Sequence, residues 1–212
     1  MHQHDNYRDH TLPGPLLKLA VVVGSARQAR FGPLPAQWFA EEAQRHGSFD
    51  VEVVDLAATL LPLSLGPEPP AMATYDPRPA EMADLTRSLA AADAFVIVTP
   101  EYNHSFPASV KSLIDWHYTE WRSKPIGFVS YGGEGAGLRA VEHLRLVFAE
   151  LYAMTVRSTV SFRNYWEAFG PDGRPVDAAG SGEAAGEMLD QLAWWASALR
   201  SARRDSPLAA AA

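Results

Sequence analysis

Short apolar runs alternate with segments of helical spacing along most of this sequence, and this alternation restricts the fold more than any other feature. The runs at residues 17–23, 94–99 and 125–130 (LKLAVVV, AFVIVT and PIGFVS) are apolar almost throughout. Parallel strands covered on both faces have this pattern. Residues 50–56 and 154–162 read as two further strands. Alternating strands and helices predict βαβ units with right-handed crossovers and a parallel sheet.

Five segments with helical spacing follow these strands, at residues 34–46, 80–91, 107–117, 138–152 and 181–200. Ser181 is suited to cap the last helix, with Glu183 and Glu187 near its positive end. A chain of 212 residues suits one domain. We therefore predict an α/β domain over residues 16–203, between a polar arm at 1–15 and a frayed tail at 204–212.

The charge and the cysteine count exclude several classes of function. A formal net charge of -7 argues against nucleic acid or an acidic membrane surface as the main partner. With no cysteine, the chain has no disulfide, thiolate metal site or cysteine nucleophile. Residues 1–15 lack the apolar core of a signal peptide, and no apolar run is long enough to span a membrane. The sequence predicts a cytoplasmic protein.

Three loops that follow strands are expected at one edge of the sheet, because ligands of open α/β sheets bind beyond the carboxyl ends of the strands. The first, GSARQARFG at residues 24–32, leads into a helix, whose free N–H groups favour phosphate. Ser25 adds a hydroxyl, and Arg27 and Arg30 add planar cationic groups. The loop is neither a Walker A loop nor a G-x-G-x-x-G fingerprint, and a strand-to-helix loop with surface arginines is the alternative.

The other two loops offer flat and exposed surfaces. TPEYNHSFP follows the third strand, with a rigid proline at Pro100, an aromatic ring at Tyr102 and an amide at Asn103. Glu101 suggests a general base, although it lacks a partner acid. SYGGEGAG, at residues 130–137, lets backbone N–H groups approach a ligand closely. Together the loops suit a mononucleotide with a flat polar ring, although each alone could be a structural turn.

The remaining features favour structure over chemistry. His104, His117 and His143 lack the spacing of a metal site. Trp116, Trp121 and Tyr118 could cover a ligand of a neighbouring subunit, but packing is the stronger interpretation. Packing roles are also expected of Trp194 and Trp195. The Pro-rich segment 61–79, with Met72 and Tyr75, is long enough to predict a role in an acceptor pocket or a subunit contact.

The three loop sequences, in this order, resemble the NAD(P)H-dependent FMN reductase family. The motifs are GSARQAR, TPEYNHSFPASVKSLIDW and KPIGFVSYGGEGAGLRAVEHLR, and the resemblance covers residues 17–162. It implies a flavodoxin-like fold, a three-layer, doubly wound, five-stranded parallel sheet of order 2-1-3-4-5. It also implies bound FMN, with NADPH or NADH as the hydride donor, and a homodimer or homotetramer.

The resemblance assigns roles by position. Residues implied to hold the FMN phosphate are Ser25, Arg27, Arg30 and Phe31. Those implied to border the flavin ring, largely through backbone groups, are Pro100, Glu101, Tyr102, Asn103, Ser130, Tyr131, Gly132 and Gly133. Some members have Ser and Asn where this chain has Arg30 and Gly32, which makes Arg30 the expected substitute. No catalytic side chain and no metal ligand are implied.

The leading hypothesis is a flavoenzyme that takes hydride from NAD(P)H and reduces a quinone, a flavin or a similar small acceptor in a ping-pong cycle. The alternative is a non-enzymatic electron carrier like flavodoxin, which would suit the acidic charge. Against it stand the arginines of the first loop and the open glycine loop. A flavin-free interaction protein is a third hypothesis.

Overall fold

A computed structural model describes the chain over residues 15–59, 61–69 and 78–208. Three parts lie outside these residues: positions 1–14 of the predicted N-terminal arm, the last four residues, and the part of the Pro-rich segment that holds Met72 and Tyr75.

Six strands form one parallel sheet: β1 (Leu17–Val23), β2 (Phe49–Asp55), β3 (Ala94–Pro100), β4 (Pro125–Tyr131), β5 (Met154–Thr155) and β6 (Val160–Phe162). The order is β2-β1-β3-β4-β5, with β6 also paired to β4. The predicted order 2-1-3-4-5 is confirmed. Every residue of β3 and β4 is buried, as their continuous apolar sequences require.

The predicted fifth strand is broken into two short strands that both pair with β4. Side chains from two helices bind the backbone between them. Arg145 donates to the carbonyl oxygens of Val156 and Arg157, at 2.7 and 3.0 Å. The N–H of Ser158 donates to the side chain of Gln191 at 3.1 Å. The N–H of Val156 still donates to the carbonyl oxygen of Ile126 in β4 at 2.9 Å. Beyond it, the side-chain bonds satisfy the backbone in place of the ladder and let the strand bend.

Five α-helices cover the sheet: α1 (Pro33–His46), α2 (Ala83–Ala91), α3 (Ala108–Trp116), α4 (Leu138–Glu150) and α5 (Ala178–Asp205). A short 3-10 turn at Ala80–Met82 precedes α2. The last helix is longer than predicted at both ends. Its cap is Asp177, which accepts from the N–H of Gly180, and not Ser181, which lies inside the helix.

Two apolar clusters sandwich the sheet. One joins α1 and α5 to the sheet, through residues such as Phe39, Trp38 and Met188. The other joins α2, α3 and α4 to the opposite face, around Phe95 and Trp121. This arrangement leaves the two sheet edges, where strands end, as the places where loops can meet. No helix in the described part of the chain is long and apolar enough to cross a membrane.

Candidate active site

The carboxyl ends of the strands lie side by side, which brings the predicted loops together. In the sheet register, Val23 pairs with both Asp55 and Val98, and Tyr131 pairs with both Pro100 and Phe162. The loop after β1 is pressed against β3, since the N–H of Gly24 donates to the carbonyl oxygen of Val98 at 2.8 Å. A methyl group at Gly24 would lie 2.6 Å from Val110 Cγ2, so the close approach requires glycine.

The first loop presents free backbone donors ahead of α1. Within the described chain, the N–H groups of Ser25, Ala26 and Arg27 have no hydrogen-bond acceptor. The side chain of Arg27 is exposed beside them. Ala29 adopts a left-handed conformation with φ of 50°, which turns the chain back toward the helix. Successive free N–H groups next to an arginine form a site suited to an anion.

Arg30 is directed toward β2, the strand next to β1. Its Nη2 forms an ion pair with Asp55, the last residue of β2, whose other carboxylate oxygen accepts from the N–H of Ala57 at 3.0 Å. The Nε of Arg30 is buried and has no hydrogen-bond partner among the described residues. Asp55 therefore fixes the guanidinium while one buried donor stays available.

Three hydroxyl groups lie close together where the first loop meets the ends of β3 and β4. Ser25 is almost fully buried, and its Oγ lies 2.9 Å from the hydroxyl oxygen of Tyr102. Tyr131 is also buried, and its hydroxyl would be 2.9 Å from a methyl group added at Gly32. Burial raises the pKa of Tyr131, so its phenol stays protonated and can donate. The Tyr102 contact ties the first loop to the third-strand loop.

The third-strand loop makes a tight turn at its tip. Tyr102 and Ser105 exchange backbone hydrogen bonds of 2.8 and 3.0 Å around Asn103 and His104. Both central residues have positive φ, 49° and 65°, as a type I′ turn requires. Asn103 and His104 are exposed at this tip, whereas Pro100, the last residue of β3, is buried.

Glu101 joins the third-strand loop to the helix after the glycine loop. One carboxylate oxygen lies 2.6 Å from Nη1 of Arg139, and the other accepts from the backbone N–H of Arg139 at 3.2 Å. The acid thus occupies the N-terminus of α4, where a negative charge is favoured. Its side chain is only 10% exposed. Both oxygens are in use, so Glu101 ties the third-strand loop to the start of α4.

The glycine loop is held from below by β4 and leaves its own backbone donors free. Ser130 is fully buried and donates to the carbonyl oxygen of Ala136 at 2.8 Å. Gly137 has a φ of 83°, and a methyl group there would lie 2.7 Å from Ser130 Cβ. In the described chain, the N–H groups of Gly133, Glu134 and Gly135 have no acceptor. The loop therefore combines a rigid base with exposed donors.

Phe31 and Tyr131 belong to one aromatic cluster. Their ring centroids are 5.2 Å apart, and Phe31 lies 5.0 Å from Tyr165 and 5.4 Å from Phe169. The ring of Tyr131 is only 4% exposed, so it supports the loops instead of facing the edge. Phe31 is half-buried. The cluster fixes the start of α1 relative to the glycine loop.

Sequence reasoning missed Asp55, Arg139, Tyr165 and Trp166. Asp55, Tyr165 and Trp166 could have been predicted, because each lies at or just beyond the carboxyl end of a strand, where ligands of such sheets bind. Arg139 carried no such signal, since only the folded chain shows that it pairs with Glu101.

The residues assigned to packing behave in two ways. Trp116 and Trp121 are buried, and the indole N–H of Trp116 donates to the carbonyl oxygen of Pro62. Trp195 packs against the core, as predicted. Trp194 is 61% exposed and lies outside the core, and its ring packs edge to face on Trp195 at 4.8 Å between centroids. In the described residues, no group of three or more His, Cys, Asp or Glu side chains could hold a metal ion.

A sequence model of the family described as NADPH-dependent FMN reductase matches residues 17–167. The chain belongs to this family. It is 42% identical over 133 residues to an NAD(P)H-dependent FMN reductase of Schizosaccharomyces pombe, a match that spans 60% of this chain and 66% of the relative. It is 30% identical over 177 residues to a probable NADPH:quinone oxidoreductase of rice, Oryza sativa subsp. japonica, spanning 77% of this chain and 84% of the relative.

Solved structures agree on the fold. The flavoenzyme NAD(P)H:(acceptor) oxidoreductase FerB of Paracoccus denitrificans has a TM-score of 0.65 at 20% identity, covering 86% of this chain and 98% of its own. The reduced flavodoxin of Megasphaera elsdenii has a TM-score of 0.52 at 14% identity, covering 81% and 98%. The solved structures establish a flavodoxin-like fold. The family membership establishes an oxidoreductase of the FMN reductase and quinone reductase type, with FMN and NAD(P)H as its cofactors.

The chemistry of the edge fits FMN. The free N–H groups of the first loop and the unpartnered Nε of Arg30 suit the three acceptor oxygens of a phosphate. The free N–H groups after Gly132 suit the carbonyl oxygens and nitrogens of a flavin ring. These donors have no acceptors within the described chain, and their number and placement suit a mononucleotide.

Proposed function

We propose that this protein uses NAD(P)H to reduce a quinone or a similar small acceptor through bound FMN, with donor and acceptor entering the same site in turn. The observation that carries the proposal is the set of free backbone donors on two loops of one sheet edge, beside Arg27 and Arg30. The names of relatives support the acceptor class. One, 37% identical, is a 2-hydroxy-1,4-benzoquinone reductase of a Burkholderia species.

When bound, FMN supplies a ring that can accept a hydride from the donor and pass electrons to the acceptor. In our proposal, Arg27, Arg30 and the N–H groups from Ser25 onward hold the phosphate. Within this loop, the Ser25 hydroxyl contacts Tyr102 and the Phe31 ring packs on Tyr131, and both contacts anchor the loop to its neighbours. The chain thereby fixes one end of the cofactor and leaves its ring at the edge.

The ring would lie between the other two loops. The turn from Pro100 to Asn103 borders one side, and Gly132 and Gly133 border the other, with Ser130 and Tyr131 as buried supports. The free N–H groups of Gly133, Glu134 and Gly135 are available to stabilise negative charge on the ring. No side chain of the site is assigned a proton transfer, because Glu101 is bound to Arg139 through both oxygens.

We also propose a cytoplasmic homodimer or homotetramer. Leu138 and Leu146 on α4 are 49% and 75% exposed, which leaves apolar surface available for a second copy. Sedimentation velocity over a range of concentrations tests this, and a monomer at every concentration would reject it.

The experiment that tests the function combines cofactor binding with turnover. The purified chain should bind FMN more tightly than riboflavin and should oxidise NADPH or NADH in the presence of a benzoquinone. Parallel initial-rate lines, with donor and quinone varied together, are expected of a ping-pong cycle. A chain that takes up no FMN contradicts the proposal. FMN binding without turnover with either donor would indicate an electron carrier.

A further inference from the structure

An exposed indole lies beside the glycine loop, on a segment that no part of the proposed mechanism uses. Trp166 follows β6 and is 61% exposed. A methyl group added at Gly133 would lie 3.9 Å from Cη2 of its ring, so the indole borders the loop proposed to flank the flavin. A large exposed aromatic side chain beside a ligand-binding loop can pack against the planar ring of a ligand.

The backbone that carries Trp166 is fixed to the site. The N–H groups of Asn164 and Tyr165 donate to the carbonyl oxygens of Gly133 and Gly132, at 3.2 and 3.1 Å. Asn164 has a φ of 47°, a left-handed conformation that reverses the chain at this point. The loop after β6 is thus held against the glycine loop by its own main chain.

Side-chain contacts fix the indole itself. Tyr165 packs against Phe31 and Tyr131, with ring centroids 5.0 and 5.9 Å apart. The Trp166 ring lies 5.3 Å from Tyr165, edge to face, and its Nε1 donates to Glu167 at 3.1 Å. One edge of the indole is therefore anchored by Tyr165 and Glu167, while most of its surface stays open. Little conformational freedom remains to be lost when a ligand packs on it.

We infer that Trp166 is a specificity-determining residue that contacts the planar ring of the second ligand, either the nicotinamide of the donor or the ring of a quinone acceptor. This inference depends on the proposed function, which requires both rings to lie next to the flavin in turn. Trp166 packs against whichever ring is present and holds it beside the Gly133 backbone. In this proposal it makes no contact with FMN, whose phosphate is assigned to the first loop.

The test compares Trp166→Ala and Trp166→Phe with wild type and with Trp194→Ala. Trp194 has the same 61% exposure but lies on α5, away from the edge, so it controls for loss of a surface indole. For Trp166→Ala we expect kcat/KM to fall by about five-fold or more for NADPH and for a benzoquinone, with kcat at saturation nearly unchanged. Trp166→Phe should restore part of the loss, because it keeps a ring.

A second measurement is independent of turnover. Calorimetric titration of NADP⁺ into the FMN-loaded protein should show weaker binding to Trp166→Ala by a similar factor, with FMN affinity and the melting temperature unchanged. A loss confined to quinone or to the donor still supports the inference and identifies which ring is contacted.

Three results would overturn it. One is unchanged kcat/KM for both substrates, another is a loss of FMN affinity, and the third is an altered sedimentation coefficient with normal kinetics, which would place the indole in a subunit interface. Wild-type protein that neither binds FMN nor turns over refutes the proposed function itself, which separates that failure from this one.

Discussion

Glu101 illustrates how single residues at the sheet edge act on one another before they act on any ligand. Its carboxylate is bound by the side chain and the backbone N–H of Arg139, and both contacts reach across from one loop to another. The same holds for Ser25 with Tyr102 and for Arg30 with Asp55. Residues that the sequence singled out as ligands therefore also set the relative positions of the loops.

Glu101→Gln should lower stability without changing the chemistry. The substitution removes an ion pair that is buried on the Glu101 side and half-exposed on the Arg139 side, together with a charge at a helix N-terminus, and the two effects are worth about 1–2 kcal/mol. We expect a lower melting temperature and an unchanged pH profile of kcat/KM. Glu134→Gln is the matched control, because its pair with Arg163 is exposed on both sides and should contribute little. A lost limb of the pH profile in Glu101→Gln would reveal a proton-transfer role instead.

Arg27→Ala and Arg30→Ala should weaken FMN binding while leaving riboflavin binding unchanged. Each removes a charge-assisted hydrogen bond to phosphate, worth about 1.5–3 kcal/mol or roughly 10- to 100-fold in affinity. Riboflavin lacks the phosphate and reports only on the ring contacts. Arg87→Ala, on the distant α2 surface, is the control. Equal losses for both flavins would mean that the loop, and not the phosphate contact, was disrupted.

Among the elements, the glycine loop is the one most restricted by its surroundings. It runs from buried β4 to α4, and Ser130 holds it from below through the carbonyl oxygen of Ala136. Ala136 and Gly137 both have positive φ. In this conformation the N–H groups of residues 133–135 have no acceptor within the described chain.

Gly137→Ala should destabilise the protein by about 2–4 kcal/mol. The new methyl group would lie 2.7 Å from Ser130 Cβ and 2.8 Å from the backbone nitrogen of Tyr131, at a φ of 83°. Gly182→Ala provides the contrast. It lies inside α5 with nothing within 4 Å, so it should stabilise by up to about 1 kcal/mol. Urea denaturation of both variants checks the pair, and a neutral Gly137→Ala would contradict the structure.

At the scale of the whole molecule, the long C-terminal helix is fastened to the amino-terminal edge of the sheet, opposite the site. Arg200 and Arg203 bind Asp93, which precedes β3, and Arg203 also donates to the carbonyl oxygen of Ser123. Lys124 is buried beside them and donates to the last carbonyl oxygens of α2. This charged layer joins α5, α2 and the sheet.

Because Lys124 is buried, we expect the free energy of unfolding to rise with pH. Burial lowers its pKa from 10.5 to about 8, so the unfolded chain holds more protons than the folded one between these values. The cost of keeping Lys124 charged, at most about 3 kcal/mol, is fully present below pH 8 and is relieved as the pH rises toward 10.5. The free energy of unfolding of wild type should therefore rise relative to that of Lys124→Met across this window. Parallel curves would contradict the lowered pKa.

Much of the fold could be predicted from residues in sequence order, because burial on both faces leaves a local record. The apolar runs predicted the strands β1, β3 and β4, and the loops that follow them predicted the ligand-binding edge of the sheet. The start of the last helix and the break in the fifth strand could not be predicted. Asp177 sets the helix start by accepting from a backbone N–H three residues away. Arg145 and Gln191 set the strand break by binding backbone groups that are more distant in the sequence.

The sequence by itself determined the parallel sheet, the edge at which three loops meet and the family that shares their motifs. The tertiary structure decided which side chains at that edge remain free. Arg30 turned out to be held by Asp55, Glu101 by Arg139 and the Tyr131 ring by the core, while Trp166 was left open. The physical reason is that strand patterns depend on burial of neighbouring residues, whereas pairing of polar groups depends on residues distant in sequence that only the folded sheet brings into contact.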